Sequence, residues 1–570
     1  MRSSIAKFSI TAAVVSIVLS VVMVGLNLPF RRRFWMADEG TARLNTVDKA
    51  VFLLIGIGAV LRVAQYLAAT SLWGDELYVV RNVVSKGPVA LLTQPIGDLQ
   101  IAPCGFVLLL KLVVTLMGTS EYSLRFIPFL SSLLTLPLFT SLARRFFPRP
   151  ALLLALGLFS TSIPLIRYAG QMKPYSSDVL ASLLCLLVAG SWKEAKTLRA
   201  SFGAAATGAI VIWFSYTSVF TLAAVALLVF ARFAIRFSRD SVKHVVVVPA
   251  IWLISAATFA IVEHHRLSPE THSYMQTFWA HWMLPTQLTL HSVAAWLLRL
   301  PRDLFAFLGL SKWWIFCGLA FTGSCYLLRR TSETILLLAP LFLTFVASAG
   351  RFYPFGGRLI LFLVPNVLLL LTAGALAVTD AAARLQLPRW GQHTLLLVAA
   401  LALGVRPIWR YPPPYRDSET KPILSYLGEH RLSSDSIYVQ GDASGTAQNA
   451  LEFYGPRFSL AVNQVTLEQY TGPHPLETLK DLDQFRGRKR LWVVFGPTHY
   501  VQLRAARWYL DTIGHRLDCL SSYRAAVYLY DLSDAQRLPS AKAEDFSFEM
   551  RETGDFGPYA GAPVELYECH

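Results

Sequence analysis

Charge is scarce in this sequence. Asp, Glu, Lys and Arg together make up 15% of its 570 residues, while apolar residues make up 54%, a balance that excludes an ordinary soluble domain, in which roughly 25% of residues are charged. Cysteine is scarce too, and no two of the six have metal-ligand spacing, so a structural zinc site is not written into the chain. Cys185, Cys317 and Cys325 fall in apolar runs, where cysteine acts as a small buried hydrophobe, and Cys104 sits near a membrane edge. Cys519 and Cys569 lie in the more polar last part and can pair if that part faces an oxidising compartment. The chain has no internal repeat, no low-complexity tract and no pseudo-symmetric halves of the kind a secondary transporter carries. Its first apolar stretch is too long for a signal-peptide core and no small-residue cleavage site follows, so 8–29 is expected to be a retained crossing.

What the chain does have is long apolar runs. Segments of roughly 18 residues or more can cross the hydrocarbon core as helices, and such runs fill the chain up to about 410. The formal net charge of +16 comes from basic residues in short loops beside those runs, such as Arg31, Arg32 and Arg33 or Arg329 and Arg330. That is an orientation signal, not a nucleic-acid patch, so no nucleic-acid partner is expected.

With the Arg31–Arg33 loop inside, crossings are expected at 8–29, 50–70, 122–142, 151–167, 174–192, 202–216, 217–234, 244–262, 313–328, 333–350, 358–379 and 392–409, about twelve in all. The stretch 105–118 is short and contains Lys111, which suits an interfacial helix. At 411–422, "YPPPYRDSETKP" marks a Pro-rich break. Beyond it, strand-like runs at 436–440, 490–495 and 525–532 alternate with helical stretches expected near 419–430, 444–455 and 498–514, the pattern of an α/β domain. The expected architecture is a polytopic α-helical membrane domain, 1–410, including an outer loop 71–121, followed by an extracytoplasmic α/β domain, 411–570.

This map sends four charged clusters to one face: Asp75 with Glu76, Lys173 through Asp178, His264 to Arg266, and Arg351 with Arg358. Ionisable groups at membrane depth are costly unless paired, so their convergence points to function. Plainer roles compete with that one. Arg and Lys beside a crossing snorkel to headgroups, Asp75 after the turn signal Trp73-Gly74 can cap the next helix, and interfacial histidines are ordinary.

The stretch "LWGDELYVV", then Ser123-Leu-Arg125-Phe-Ile-Pro128 and Gln171-Met-Lys173-Pro174-Tyr175, resembles the bacterial GT-C glycosyltransferases of the protein O-mannosyltransferase-like group, which includes the lipid A aminoarabinose transferases. The resemblance spans roughly 50–380. It implies a GT-C membrane fold and transfer of a sugar from a polyprenyl-phosphate carrier to an acceptor at the outer face, with the first-loop aspartate, here Asp75, as catalytic base. Two departures stand out: Lys173 occupies a place where relatives often have Arg, and the crossing at 8–29 is extra.

The residues fit that chemistry. Displacing a polyprenyl phosphate from an anomeric carbon requires a base for the acceptor proton and cations for the departing phosphate. Asp75 and Glu76 are the catalytic candidates, with capping of the next helix the other role open to Glu76. Lys173, Arg351 and Arg358 are the donor phosphate-binding candidates, and Tyr175, Asp178 and His264 the substrate-binding ones, with Trp279 a further stacking aromatic. No cofactor is required, although Asp75 and Asp178 offer hard oxygen ligands to a divalent metal. The expected protein is an inverting glycosyltransferase of the cell inner membrane, transferring a hexose or pentose to a lipid, glycan or protein acceptor. A lipid or polysaccharide transporter or flippase, or an inactive assembly subunit, is the alternative.

Overall fold

The computed structural model describes residues 46–569 apart from 193–197, 236–238, 387, 389–393, 395–397, 443–444, 470–474, 499 and 535–566. The expected crossing at 8–29 and residues 392–393 and 395–397 of that expected at 392–409 lie outside the described residues. The first part of the chain is a helical bundle: α1 (Thr46–Leu67), α2 (Gly74–Ser85), α3 (Cys104–Met117), α4 (Glu121–Ala143), α5 (Arg149–Ser160), α6 (Tyr175–Trp192), α7 (Leu198–Phe214), α8 (Ser218–Ile235), α9 (Arg239–Arg266), α10 (Pro269–Phe278), α11 (Leu290–Phe307), α12 (Trp313–Leu328), α13 (Ile335–Ala349) and α14 (Val364–Arg384). Among the described residues six helices are long and apolar enough to cross a membrane, or seven if α5 and Ile163–Gly170, bent by 51° at their break, form one span; four more apolar helices are shorter. The chain is a multi-pass membrane protein. The expected count of twelve crossings is larger than these helices establish.

Polar side chains inside the bundle close off backbone groups that lipid cannot satisfy. Arg62, fully buried within α1, donates to Gly58 O at 2.9 Å, to Ser132 Oγ at 2.9 Å, and to the carbonyls of Phe159 and Ser160 at 3.3 and 3.2 Å. Those last two carbonyls end α5, where a helix leaves its final C=O groups without partners. Arg62 thereby holds the bend.

Ion pairs sort the helix ends into two sets. Arg144 reaches Asp48 at 4.0 Å, Arg232 reaches Glu333 at 3.6 Å, and Arg330 reaches Asp380 at 2.9 Å, which gathers the start of α1, the ends of α4, α8, α12 and α14 and the approach to α13 at one end of the bundle. At the opposite end Arg125, in the first turns of α4, pairs with Glu76 at 2.6 Å. Both ends of the excursion 71–121 are therefore at one end of the bundle.

After the break come α15 (Thr420–His430), β1 (Ser436–Val439), α16 (Thr446–Tyr454), β2 (Thr466–Leu467), α17 (Pro475–Asp483), β3 (Leu491–Phe495), α18 (Tyr500–Ile513), β4 (His515–Ser522) and β5 (Ala525–Asp531). They build one mixed sheet of order β2-β1-β3-β5-β4. β1 pairs in parallel with β2 and β3, with Val439 opposite Val494; β5 pairs antiparallel with β3, with Trp492 opposite Leu529, and with the edge strand β4. Alternate residues of a strand face opposite sides, and both sides are covered. Ile437, Val439, Trp492, Val494, Val527 and Leu529 share a core with α2, α3, α15 and α16. Tyr438, Val493, Phe495, Tyr528 and Tyr530 pack with α17 and α18 instead. Cys519 and Cys569 form a disulfide that ties the chain end to β4.

A cationic cavity around Asp75

A cavity of about 430 Å³ opens at the end of the bundle that holds the Arg125–Glu76 pair, and Asp75, Lys173, Tyr175, Asp178, Arg351 and Arg358 all line it. They come from five places in the chain. Asp75 is in the first turn of α2. Lys173 lies in the link before α6, and Tyr175 and Asp178 are in the first turn of α6. Arg351 follows α13, and Arg358 sits in a short 3₁₀ stretch, Gly357–Leu363, that leads into α14. At Gly357 the backbone is left-handed, with φ of +53°, and an added Cβ would lie 2.5 Å from the Trp282 ring, so glycine is what allows this approach.

Asp75 and Arg358 form an ion pair, their side chains 21% and 17% exposed. The Arg358 guanidinium also stands over the rings of Trp279 at 5.3 Å, Trp73 at 5.5 Å and Tyr175 at 5.7 Å, an aromatic cage that favours a cation. Lys173 is buried and donates from Nζ to Gln100 Oε1 at 2.7 Å, and Gln100 lines the cavity together with Asp75. Burial opposes ionisation of Asp75, yet Arg358 and Lys173 beside it hold its carboxyl below the usual range. Burial brings the Lys173 ammonium down to about 8, with Asp75 opposing and Arg358 adding to the drop. Arg351 donates from Nη1 to Leu284 O at 2.5 Å and has a left-handed φ of 60°. Asp178 is buried beside Ser215 and Thr217, and its Oδ1 has no hydrogen-bond partner among the described residues.

Two expected site residues lie elsewhere. Glu76 does not reach the cavity: it is fully buried, accepts from Arg125 Nε at 3.0 Å and Nη2 at 2.6 Å, and from the Met172 N–H at 2.6 Å. Adjacent helical residues point about 100° apart, so with Asp75 facing the cavity Glu76 must face the bundle. His264 is exposed at the end of α9 and lines a second cavity, because the buried residue of that turn is Arg266, tied to Leu91 O at 2.8 Å and Ala102 O at 3.2 Å.

A divalent metal fits this donor set poorly. Among the described residues no three His, Cys, Asp or Glu side chains are grouped to hold one, and Asp75 already neutralises Arg358 beside Lys173. The charge left over suits an anion. Gln100, Tyr216, Thr217, Trp73 and Tyr353 are the participants that sequence reasoning missed; each is a single polar or aromatic residue in a loop or helix end, brought here only by the fold.

No family model and no curated protein matches the chain. Solved structures with a similar trace include ArnT from Cupriavidus metallidurans in the apo state, 12% identical with a TM-score of 0.46, covering 85% of this chain and 99% of that one. The same protein bound to undecaprenyl phosphate is 13% identical with a TM-score of 0.42, covering 84% and 97%. The Archaeoglobus fulgidus oligosaccharyltransferase in its apo form is 12% identical with a TM-score of 0.43, covering 85% of this chain and 74% of that one.

Proposed function

We propose that the chain is an integral-membrane glycosyltransferase that moves a sugar from a polyprenyl-phosphate donor to an acceptor hydroxyl, with inversion, at the extracytoplasmic face of the inner membrane. One observation carries this reading: Asp75, Lys173, Arg351 and Arg358 share a single aromatic-walled cavity at one end of the bundle. Before donor binds, Asp75 and Arg358 neutralise each other. An arriving phosphate competes for Arg358 and Lys173 and frees the carboxylate, which then takes the acceptor proton as the acceptor oxygen bonds to the anomeric carbon. The bond from that carbon to the phosphate oxygen breaks, and the phosphate leaves with the electron pair, its charge met by Lys173 and Arg358. Trp279 and Tyr175 offer ring faces to the sugar. A photoreactive polyprenyl-phosphate analogue should label residues 172–178 and 272–283, with the label displaced by unmodified polyprenyl phosphate; labelling elsewhere, or none displaced, rules against this site.

The pH profile has a worked sign. Asp75 is the base only when ionised, so transfer falls as pH drops through its depressed value. Removing the Arg358 charge in Arg358→Gln takes away a cause of that depression, and the acid limb should move to higher pH. Lys173 is cationic only below about 8, so carrier binding should weaken as pH rises through that value. Lys173→Arg, which stays charged, should abolish this basic limb. Binding isotherms from pH 6 to 10 check it.

Residues 411–570 are proposed to face outward. The Cys519–Cys569 disulfide supports this, since such bonds persist in oxidising compartments, and so do Arg144, Arg145, Arg329 and Arg330 at the other end of the bundle. In a chain with Cys104, Cys185, Cys317 and Cys325 replaced by serine, an impermeant thiol reagent should label Ser273→Cys from outside and leave Arg329→Cys unlabelled. The reverse pattern inverts the orientation.

A further inference from the structure

The residues that lead into Asp75 are held by a distant part of the chain. Trp73, the residue before α2, gives the helix no side-chain cap, although the first N–H groups of a helix need acceptors. The acceptor comes from the C-terminal region instead. The Gly74 N–H donates to Thr446 Oγ1 at 2.9 Å, and the Leu72 N–H donates to the Tyr454 hydroxyl at 2.9 Å. Ser71 donates from its N–H and its hydroxyl to Glu419 Oε2 at 3.2 and 2.9 Å, and accepts from the Lys421 N–H at 3.1 Å. Ser71, Leu72, Gly74, Thr446 and Tyr454 are all buried, so water cannot replace these partners.

The C-terminal side of this contact is itself fixed. Asp442 caps α16 by accepting from the N–H groups of Thr446 and Ala447, each at 3.1 Å. Gly445, with φ of +58°, brings the backbone so near α2 that an added Cβ would lie 2.4 Å from the Tyr78 hydroxyl. Two helix starts therefore meet, Asp442 capping α16 and Thr446 capping α2. Lys421 and Arg457 extend the grip to Glu121 at the start of α4, at 2.7 and 3.7 Å.

We propose that Thr446 and Tyr454 are positioning residues for Asp75: the C-terminal α/β region completes the helix start that carries the carboxylate, so the cavity is fully formed only when that region is docked. The inference rests on the reading of Asp75 as the base. Asp75 directly follows Gly74, so freeing the Gly74 N–H loosens the turn that sets the carboxylate against Arg358, and misplacing a catalytic group by about 1 Å can cost on the order of a hundredfold in rate.

The test uses the full chain in lipid nanodiscs. Thr446→Val keeps the shape and removes the hydroxyl; Tyr454→Phe is the second variant and carries the same expectation. Each should lower kcat for transfer from a polyprenyl-phosphate sugar by roughly tenfold or more, with polyprenyl-phosphate binding held or tightened. The acid limb of the kcat/KM profile, which reports the free enzyme, should move to higher pH as the Asp75–Arg358 pairing loosens, amide exchange over 70–78 should quicken, and Thr446→Ser should restore all three. Wild-type kcat and acid limb in both variants would overturn the proposal. So would a loss of kcat that only follows a loss of folded protein, with the acid limb unmoved. Asp75→Asn run alongside separates the two claims: wild-type transfer in that variant sinks the base assignment, whereas an inactive Asp75→Asn with normal Thr446→Val and Tyr454→Phe sinks the positioning claim alone.

Discussion

Asp75→Asn should lower sugar transfer by a factor on the order of 10² to 10⁴, the usual contribution of a positioned general base, while polyprenyl phosphate still binds. The substitution keeps the shape of the side chain and removes the charge that neutralises Arg358. With Arg358 released, carrier binding should hold or tighten, since the phosphate no longer competes with a carboxylate. A variant that lost both binding and turnover would make Asp75 a structural partner of Arg358 and not the base. Radiolabelled carrier binding and single-turnover transfer on the same preparation separate the two.

Glu76→Gln should act on the fold instead. The Glu76 and Arg125 side chains are 0% and 3% exposed, and Arg125 also donates to Thr70 O at 2.6 Å and to Ser71 O at 3.1 Å, binding α2, α4 and the turn between α1 and α2 into one network. Removing one partner of a buried pair leaves the other charge uncompensated, at a cost of about 3–5 kcal/mol. The amide that replaces one Glu76 oxygen would in addition turn N–H groups toward the guanidinium or toward the Met172 N–H. Thermal unfolding in detergent should show a clearly lowered midpoint for Glu76→Gln and for Arg125→Gln, and partial recovery in the double replacement Glu76→Met with Arg125→Met, which removes both charges. An unchanged midpoint in Glu76→Gln would mean that the pair contributes nothing to the fold.

These two neighbours show what could be read in the sequence and what could not. The "DE" step was visible as a misplaced pair of charges, and the resemblance chose Asp75 as base, but nothing local says which carboxylate faces inward. That is decided by Arg125, 49 residues on, and by the 100° step between adjacent helical residues. The cavity was legible in part for the same kind of reason. Counting crossings brings Lys173, Tyr175, Asp178, Arg351 and Arg358 to one end, because the hydrophobic period and the basic loops fix parity; it does not say that Arg358 would be caged by Trp73 and Trp279, nor that His264 would turn outward. In the C-terminal region the strands at 436–439, 491–495 and 525–531 were visible as β-type runs. The edge strand β4, "HRLDCLSS", was not, because its partly exposed, polar-rich residues carry little of the alternation that marks a half-buried strand. The contact between that region and the Asp75 turn had no local signal at all, since Thr446 and Tyr454 look like any helix start and any core tyrosine.

The central claim is that this cavity transfers sugar from a polyprenyl phosphate. Purified protein in nanodiscs, incubated with a panel of polyprenyl-phosphate pentoses and hexoses and an extract of envelope lipids, glycans and proteins, tests it most directly, with products read by mass spectrometry. The expected result is release of polyprenyl phosphate and a product heavier by one sugar residue, with inverted anomeric configuration, for at least one donor, abolished in Asp75→Asn. Donor consumption that Asp75→Asn leaves unchanged, or a panel that binds in the cavity with no sugar transferred, would contradict the account.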